Sequence, residues 1–200
     1  MRHYSEAFEQ EVRAWAKALV PSGRWAHVRG VVETASWLAE RYTPRELMRA
    51  RLAGWIHDVA KAWDDDELLT YAEEHGWPLS EAEHESPMLL HGAVGYALAA
   101  ERFGLDDPAL QSACVRHTTG SPQMTTLDKV IFVADLIEPT REFKGLKAIR
   151  RAARRDLDVA VLMSVDFTLR HLLKRQRPVD PRAVALHNAL VRAGVRYNHK

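Results

Sequence analysis

The sequence predicts an all-α protein, a helical bundle with additional helices at its C-terminal end. Three observations carry this. Helix start signals recur along the chain, apolar residues fall three and four apart between them, and strand-like alternation is scarce.

The elements follow in order. Phe8, Val12, Trp15 and Leu19 mark a helix over about 4–20, and Val28, Val31, Val32, Ala35 and Leu38 mark one over about 23–42. Thr43-Pro44-Arg45-Glu46 reads as a capping box with proline at the first helical position, opening a helix over about 44–60. Further helices are expected over about 64–75, 87–103, 108–117, 125–138, 146–175 (broken near Arg155-Asp156) and 181–195. Asp107-Pro108 and Asp180-Pro181 each pair an N-cap acceptor with proline. Ser80-Glu81-Ala82-Glu83 and Thr125-Thr126-Leu127-Asp128 also read as starts. Val130-Ile131-Phe132-Val133-Ala134 has strand propensity. It is assigned to a buried helix because it follows a cap, has no partner strand and runs into Asp135-Leu136-Ile137-Glu138 without a turn signal.

Composition narrows the function. The 200 residues suit one domain, with a core over about 22–175 and a helical extension over about 176–200. A hydrophobic content of 46% supports a packed core. The net charge of +1 gives no global field toward nucleic acid or a membrane. No segment reads as a signal peptide or a spanning helix. The single cysteine, Cys114, makes neither an internal disulfide nor a zinc–thiolate site, and a reducing cytoplasm fits. No P-loop or Rossmann glycine signature is present.

The ten histidines stand out. His57-Asp58 lies at the end of the apolar segment Leu52, Ala53, Trp55, Ile56; on a helix the two side chains would point about 100° apart and ligate one ion or bridge two. Alone, such a dipeptide is most often a surface pair. His27, His91 and His117 add three imidazoles at helix positions, and Asp135 interrupts the most apolar run of the chain. A buried carboxylate is expensive without a partner, and a cation would supply one. Four imidazoles and two carboxylates suit iron, manganese, cobalt or nickel, with zinc also open.

The order His…His-Asp…His…His…Asp resembles the HD-domain superfamily. His57-Asp58-Val59-Ala60-Lys61, Leu90-His91-Gly92-Ala93-Val94-Gly95, His117-Thr118-Thr119-Gly120 and the long run Met124–Arg141 resemble the YqeK-type HD hydrolases, over about residues 22–175. Two departures stand outside the ligand set: Ala93 and Lys144 occupy positions where that family's pattern has proline. The resemblance implies an HD helical bundle and symmetrical hydrolysis of diadenosine tetraphosphate to two ADP by a metal-activated water. It implies two metal ions, iron first, with His27, His57, Asp58 and Asp135 at one and Asp58, His91 and His117 at the other. Asp58 and Lys61 would be catalytic, and Arg24, Lys61, Thr118, Thr119 and Arg141 would contact substrate.

Each has a plainer reading. Lys61, four residues after His57 and so on its helical face, could be a salt-bridge partner instead of a phosphate contact. Arg141 could pair with Glu138 or Asp128, Arg24 could be solvated, and Thr118-Thr119-Gly120 could be an ordinary turn. Asp128, seven residues before Asp135, and Glu138, three after it, could each orient a ligand histidine or merely serve the helix. Lys147, Arg150, Arg151, Arg154 and Arg155 read as a solvated face or an anion funnel, and the stretch His171–Arg177 reads the same way. His3, His75, His84, His171, His187 and His199 have no motif around them. The expected partner is a nucleotide, with neither membrane nor nucleic acid, and a homodimer stays open. Rival readings are another HD nucleotidase or phosphodiesterase, a non-catalytic nucleotide-binding module, and a nucleic-acid-associated factor.

Overall fold

The helix α8, Thr126–Ile137, is the centre around which the others are laid. In the computed structural model, which describes residues 4–198, Val130, Ile131, Val133 and Ala134 are fully buried. Each buried aliphatic side chain contributes about 1.5–3 kcal/mol, enough to override β-branched propensity. Thr125 and Asp128 form a reciprocal capping box at its start, and Pro139 follows its C-cap Glu138.

Around α8 stand α2 (Trp25–Tyr42), α7 (Pro108–Arg116) and α10 (Leu157–Lys174). Helix α3 (Leu47–Ile56) packs on α2, α1 (Glu6–Leu19) packs on α3, and α6 (His91–Phe103) packs on α7. Helices α9 (Leu146–Ala153) and α11 (Pro181–Arg192) lie against α10. A satellite cluster, Ala60, Leu68, Ala72, Leu90 and Val94, seats α4 (Asp65–Glu74). Asp107 and Asp180 cap α7 and α11 as expected, each ahead of its proline. No strand occurs among the described residues, and none of the helices is long and apolar enough to cross a membrane.

Three expectations are corrected, and the break in the 146–175 segment falls where it was expected. The Ser80–Glu83 box opens a helix of its own, α5 (Glu81–Glu85), ahead of a 3₁₀ turn at Pro87–Leu90. Thr43-Pro44-Arg45-Glu46 is a 3₁₀ turn rather than a capping box, because the Thr43 hydroxyl bonds the Glu46 side chain and no backbone N–H. The expected 146–175 helix is two helices, split at the Asp156 cap as anticipated. The helix expected to reach residue 60 stops at Ile56. The Gly54 carbonyl, which a continuing helix would give to the Asp58 amide, accepts a bond from the His57 ring at 2.8 Å. The chain then runs through i→i+3 turns, Val59 N to Ile56 O and Lys61 N to Asp58 O. His57, Asp58 and Lys61 are therefore not on one helical face.

Candidate metal centre and active site

His57 and Asp58 lie at the C-terminal end of α3, His27 in the first turn of α2, His91 at the first residue of α6, His117 just after α7 and Asp135 near the end of α8. Five helix segments thus deliver six side chains to one place. Their donor atoms fall into two groups, His27 with His57 and Asp135, and Asp58 with His91 and His117, within each of which the atoms lie within 4.8 Å of one another. Asp58 joins the groups: its Oδ2 is 3.2 Å from His57 Nε2 and 3.4 Å from His27 Nε2, and its Oδ1 is 3.3 Å from His91 Nε2.

The ring tautomers follow from the neighbours. Nδ1 of His57, His91 and His117 lies 2.8, 2.5 and 2.7 Å from the carbonyls of Gly54, Met88 and Cys114. A carbonyl only accepts, so each Nδ1 carries a hydrogen and each ring turns Nε2 inward, where the neutral form presents a bare lone pair. Nδ1 of His27 faces Glu138 Oε1 at 3.0 Å. His91 Nε2 and His117 Nε2 then face each other at 3.0 Å as two acceptors, an arrangement with no hydrogen bond to hold it. Among the described residues, five buried side-chain polar atoms lack a hydrogen-bond partner, and three are His27 Nε2, His57 Nε2 and Asp58 Oδ1. Buried polar atoms left without a hydrogen bond are costly. Lone pairs on nitrogen and oxygen converging on one space fit a divalent cation, and the donor chemistry fits the metals expected above.

Close helix approach makes the cluster possible. A Cβ on Gly92 would meet Cys114 O at 2.2 Å and His117 Nδ1 at 3.0 Å, so only glycine lets α6 lie this near the His117 ring. A Cβ on Gly30 would meet Glu138 Oε2 at 2.4 Å, so glycine in α2 admits the carboxylate that holds His27.

Residues 24–140, the segment carrying all six side chains, match the family model described as HD domain. The chain belongs to the HD domain family. A protein from Bacillus subtilis (strain 168), named symmetrical bis(5'-nucleosyl)-tetraphosphatase, is 36% identical over 91% of this chain and 97% of its own length. A protein of the same name from Halalkalibacterium halodurans is 38% identical over 84% of this chain and 89% of its own. The crystal structure of a Clostridium acetobutylicum protein, described as a predicted HD superfamily hydrolase involved in NAD metabolism, superposes with a TM-score of 0.88 at 33% identity. It covers 96% of this chain and 100% of that one.

Electrostatics in this HD centre are set by burial against pairing. Burial opposes the charged form of His27, yet Asp135, Asp58 and Glu138 outweigh it and push the imidazole up to about 9. Burial, with His91 and His57 beside it, pushes His117 down to about 3, and burial also lowers His91. Burial works against ionisation of Asp58 and Asp135, but the surrounding imidazoles, with Arg141 beside Asp135, hold both carboxyls well below the usual carboxylate range. Lys61 is lowered, mainly by burial. Its charge couples to Asp58, Arg24, Asp135 and Arg141, so it belongs to the same neighbourhood although no helical face puts it there.

Asp135 is less enclosed than its apolar run implied, since 23% of its side chain is exposed. The fully buried carboxylates of α8 and its cap are Asp128 and Glu138. They divide the roles that sequence left open. Asp128 accepts from Thr125 N, Ser112 Oγ and Arg116 Nη1, three donors outside the centre. Glu138 holds His27 and also accepts from Thr140 N and Thr140 Oγ1. Arg150, expected on a solvated face, donates to the carbonyls of Ile137 and Glu138 and so fixes the end of α8. At the rim, Arg24 Nε lies 2.5 Å from Asp58 Oδ2, and Arg141 Nη2 lies 3.0 Å from Asp135 Oδ1. Thr118 Oγ1 is 3.1 Å from His117 Nε2, and Thr119 Oγ1 bonds Gly120 O. His75 and His187 pair with Glu101 and Asp166 away from the centre, while His3 and His199 lie outside the described residues.

Proposed function

We propose that this HD protein is a metal-dependent phosphohydrolase that splits diadenosine tetraphosphate symmetrically into two ADP. The observation that carries the metal reading is the set of inward, bare Nε2 atoms around a carboxylate with an unpaired buried oxygen. His27, His57, Asp58 and Asp135 would hold one divalent cation and Asp58, His91 and His117 a second, with iron first and manganese, cobalt, nickel or zinc as alternatives. Two such cations supply a lowered water pKa and positive charge at the phosphate oxygens.

The chain's own residues do the rest. Gly54, Met88 and Cys114 carbonyls and Glu138 fix the four rings, so the ligand geometry needs no rearrangement on binding. Arg24 and Arg141 pair with Asp58 and Asp135, the carboxylates that the cations would claim. Both guanidiniums would then be free to take phosphate oxygens, with Lys61 as a third positive charge for the leaving nucleotide. The substrate assignment rests on the relatives named above, which match nearly the whole chain.

Elemental analysis of freshly purified protein should find close to two metal ions per chain. Product analysis after incubation with diadenosine tetraphosphate should find ADP alone. ATP with AMP would refute symmetrical attack, and hydrolysis of other nucleotides or phosphodiesters in preference would move the substrate elsewhere in the family.

A further inference from the structure

Next to the centre lies a cavity of about 690 Å³ whose chemistry differs from the rim on which Arg24, Lys61 and Arg141 stand. Thr118 and Thr119 form one edge, and Thr118 Oγ1 lies 3.1 Å from His117 Nε2, so one side chain borders both the cavity and a ring of the cluster. Its walls are largely aliphatic, with Leu89, Leu172, Pro178 and Val179 among them. Arg24, Lys61 and Arg141 do not line it. Of its ionic groups, Arg182 is tied to Asp180 at 2.7 Å and to Glu83 of α5 at 2.9 Å, which leaves Arg177 against Glu81 and Glu85. No surplus of positive charge draws a phosphate in. Apolar walls with a few acceptors suit an uncharged ring bearing N–H and O–H donors, and the volume lies within the range of small-ligand pockets.

We propose that this cavity receives one nucleoside of the substrate, with the phosphate chain running from Thr118 across the centre toward Arg24, Lys61 and Arg141. The proposal rests on the nucleotide-hydrolase reading above. It divides the labour along the chain. The ligand set lies within residues 24–140, the part that matches the HD family model, whereas Thr168, Leu172 and residues 177–183 supply the opposite wall from outside it. The C-terminal helices are then selectivity elements. The Arg182 clasp holds the 177–183 segment against α5 and so sets the width of the pocket.

The test is calorimetric binding of ADP and of inorganic diphosphate to the metal-loaded protein, its Thr168→Trp variant and its Ala82→Trp variant. The two substitutions fill the cavity from different helices, so a folding failure in one leaves the other. Wild-type protein should bind ADP more tightly than diphosphate. Either tryptophan should weaken ADP about tenfold or more while diphosphate changes less than about twofold. Equal affinity of wild-type protein for the two ligands, or parallel loss or no loss of both in the folded variants, overturns the proposal. Failure to hydrolyse diadenosine tetraphosphate would instead sink the substrate reading and leave the binding comparison intact.

Discussion

Metal uptake should strengthen about tenfold per pH unit below pH 9, and His27 is the reason. Its Nε2 lies 3.0 Å from Asp135 Oδ1 and 3.4 Å from Asp58 Oδ2, and its Nδ1 faces Glu138. Those carboxylates, acting against burial, push the metal-free imidazole up to about 9. A metal needs the bare Nε2, so below that value binding must expel a proton. At pH 7 the difference of about 2 pH units costs about 3 kcal/mol, near a hundredfold in affinity. His117, held near 3, and His91, also lowered, are already neutral, and Asp58 and Asp135 are already ionised. His27 should therefore release one proton on metal loading. Chelator competition with manganese at pH 6, 7, 8 and 9, beside proton release in weak buffer, measures both quantities. The linked stability has the opposite sign. A raised histidine stabilises the metal-free fold fully below the unfolded value of 6.5 and loses that contribution as pH rises through 9, about 3 kcal/mol in all. His27→Gln should flatten both curves. A wild-type affinity independent of pH, or a slope that survives in His27→Gln, would refute the reasoning.

Other outcomes follow from the same geometry. His57→Ala and Asp58→Ala should each abolish turnover and lower metal content with helical content retained by circular dichroism; full activity in either would contradict the site. Glu138→Gln removes the carboxylate charge that faces His27 Nδ1 and should weaken metal binding about 10–100-fold, measured by the same chelator competition. Gly92→Ala drives a methyl into Cys114 O and the His117 ring and should cost about 1–3 kcal/mol in thermal or urea unfolding, with metal lost before the fold. Lys61→Ala should leave metal content near that of the wild type and slow turnover about a hundredfold; unchanged kinetics would remove it from the mechanism.

Five of the six ligand candidates were legible because each stands in a conspicuous local setting: His57 beside Asp58, His91 before glycine, His117 before a threonine pair, Asp135 in an apolar run. The roles of Asp128 and Glu138 were not. Both lie at helical spacing from Asp135, three and seven residues away, so periodicity ranks them equally. The decision is tertiary: Gly30 of α2 admits Glu138 to His27, and Arg116 of α7 draws Asp128 the other way. The cavity wall was equally hidden, since residues 177–183 meet Thr118 and Thr119 only through the packing of α10 and α11.

The misplaced end of α3 shows why the ligands gather at helix termini. The last carbonyls of a helix have no intrahelical donor and need one from elsewhere. His57 and His117 each follow a helix and give Nδ1–H to a carbonyl three residues back, Gly54 and Cys114. His91 does the same to Met88 across the 3₁₀ turn that precedes α6. At His57 and His117 one bond thus serves the helix end and turns Nε2 toward the centre, and at His91 it does so at a helix start. In α3 no glycine or proline announces the stop, because the histidine ring makes it. A histidine within a helix finds the carbonyls behind it already taken; His91 avoids this by opening α6, whereas His27, the one centre histidine preceded and followed by residues of its own helix, takes its Nδ1 partner from Glu138 of another segment.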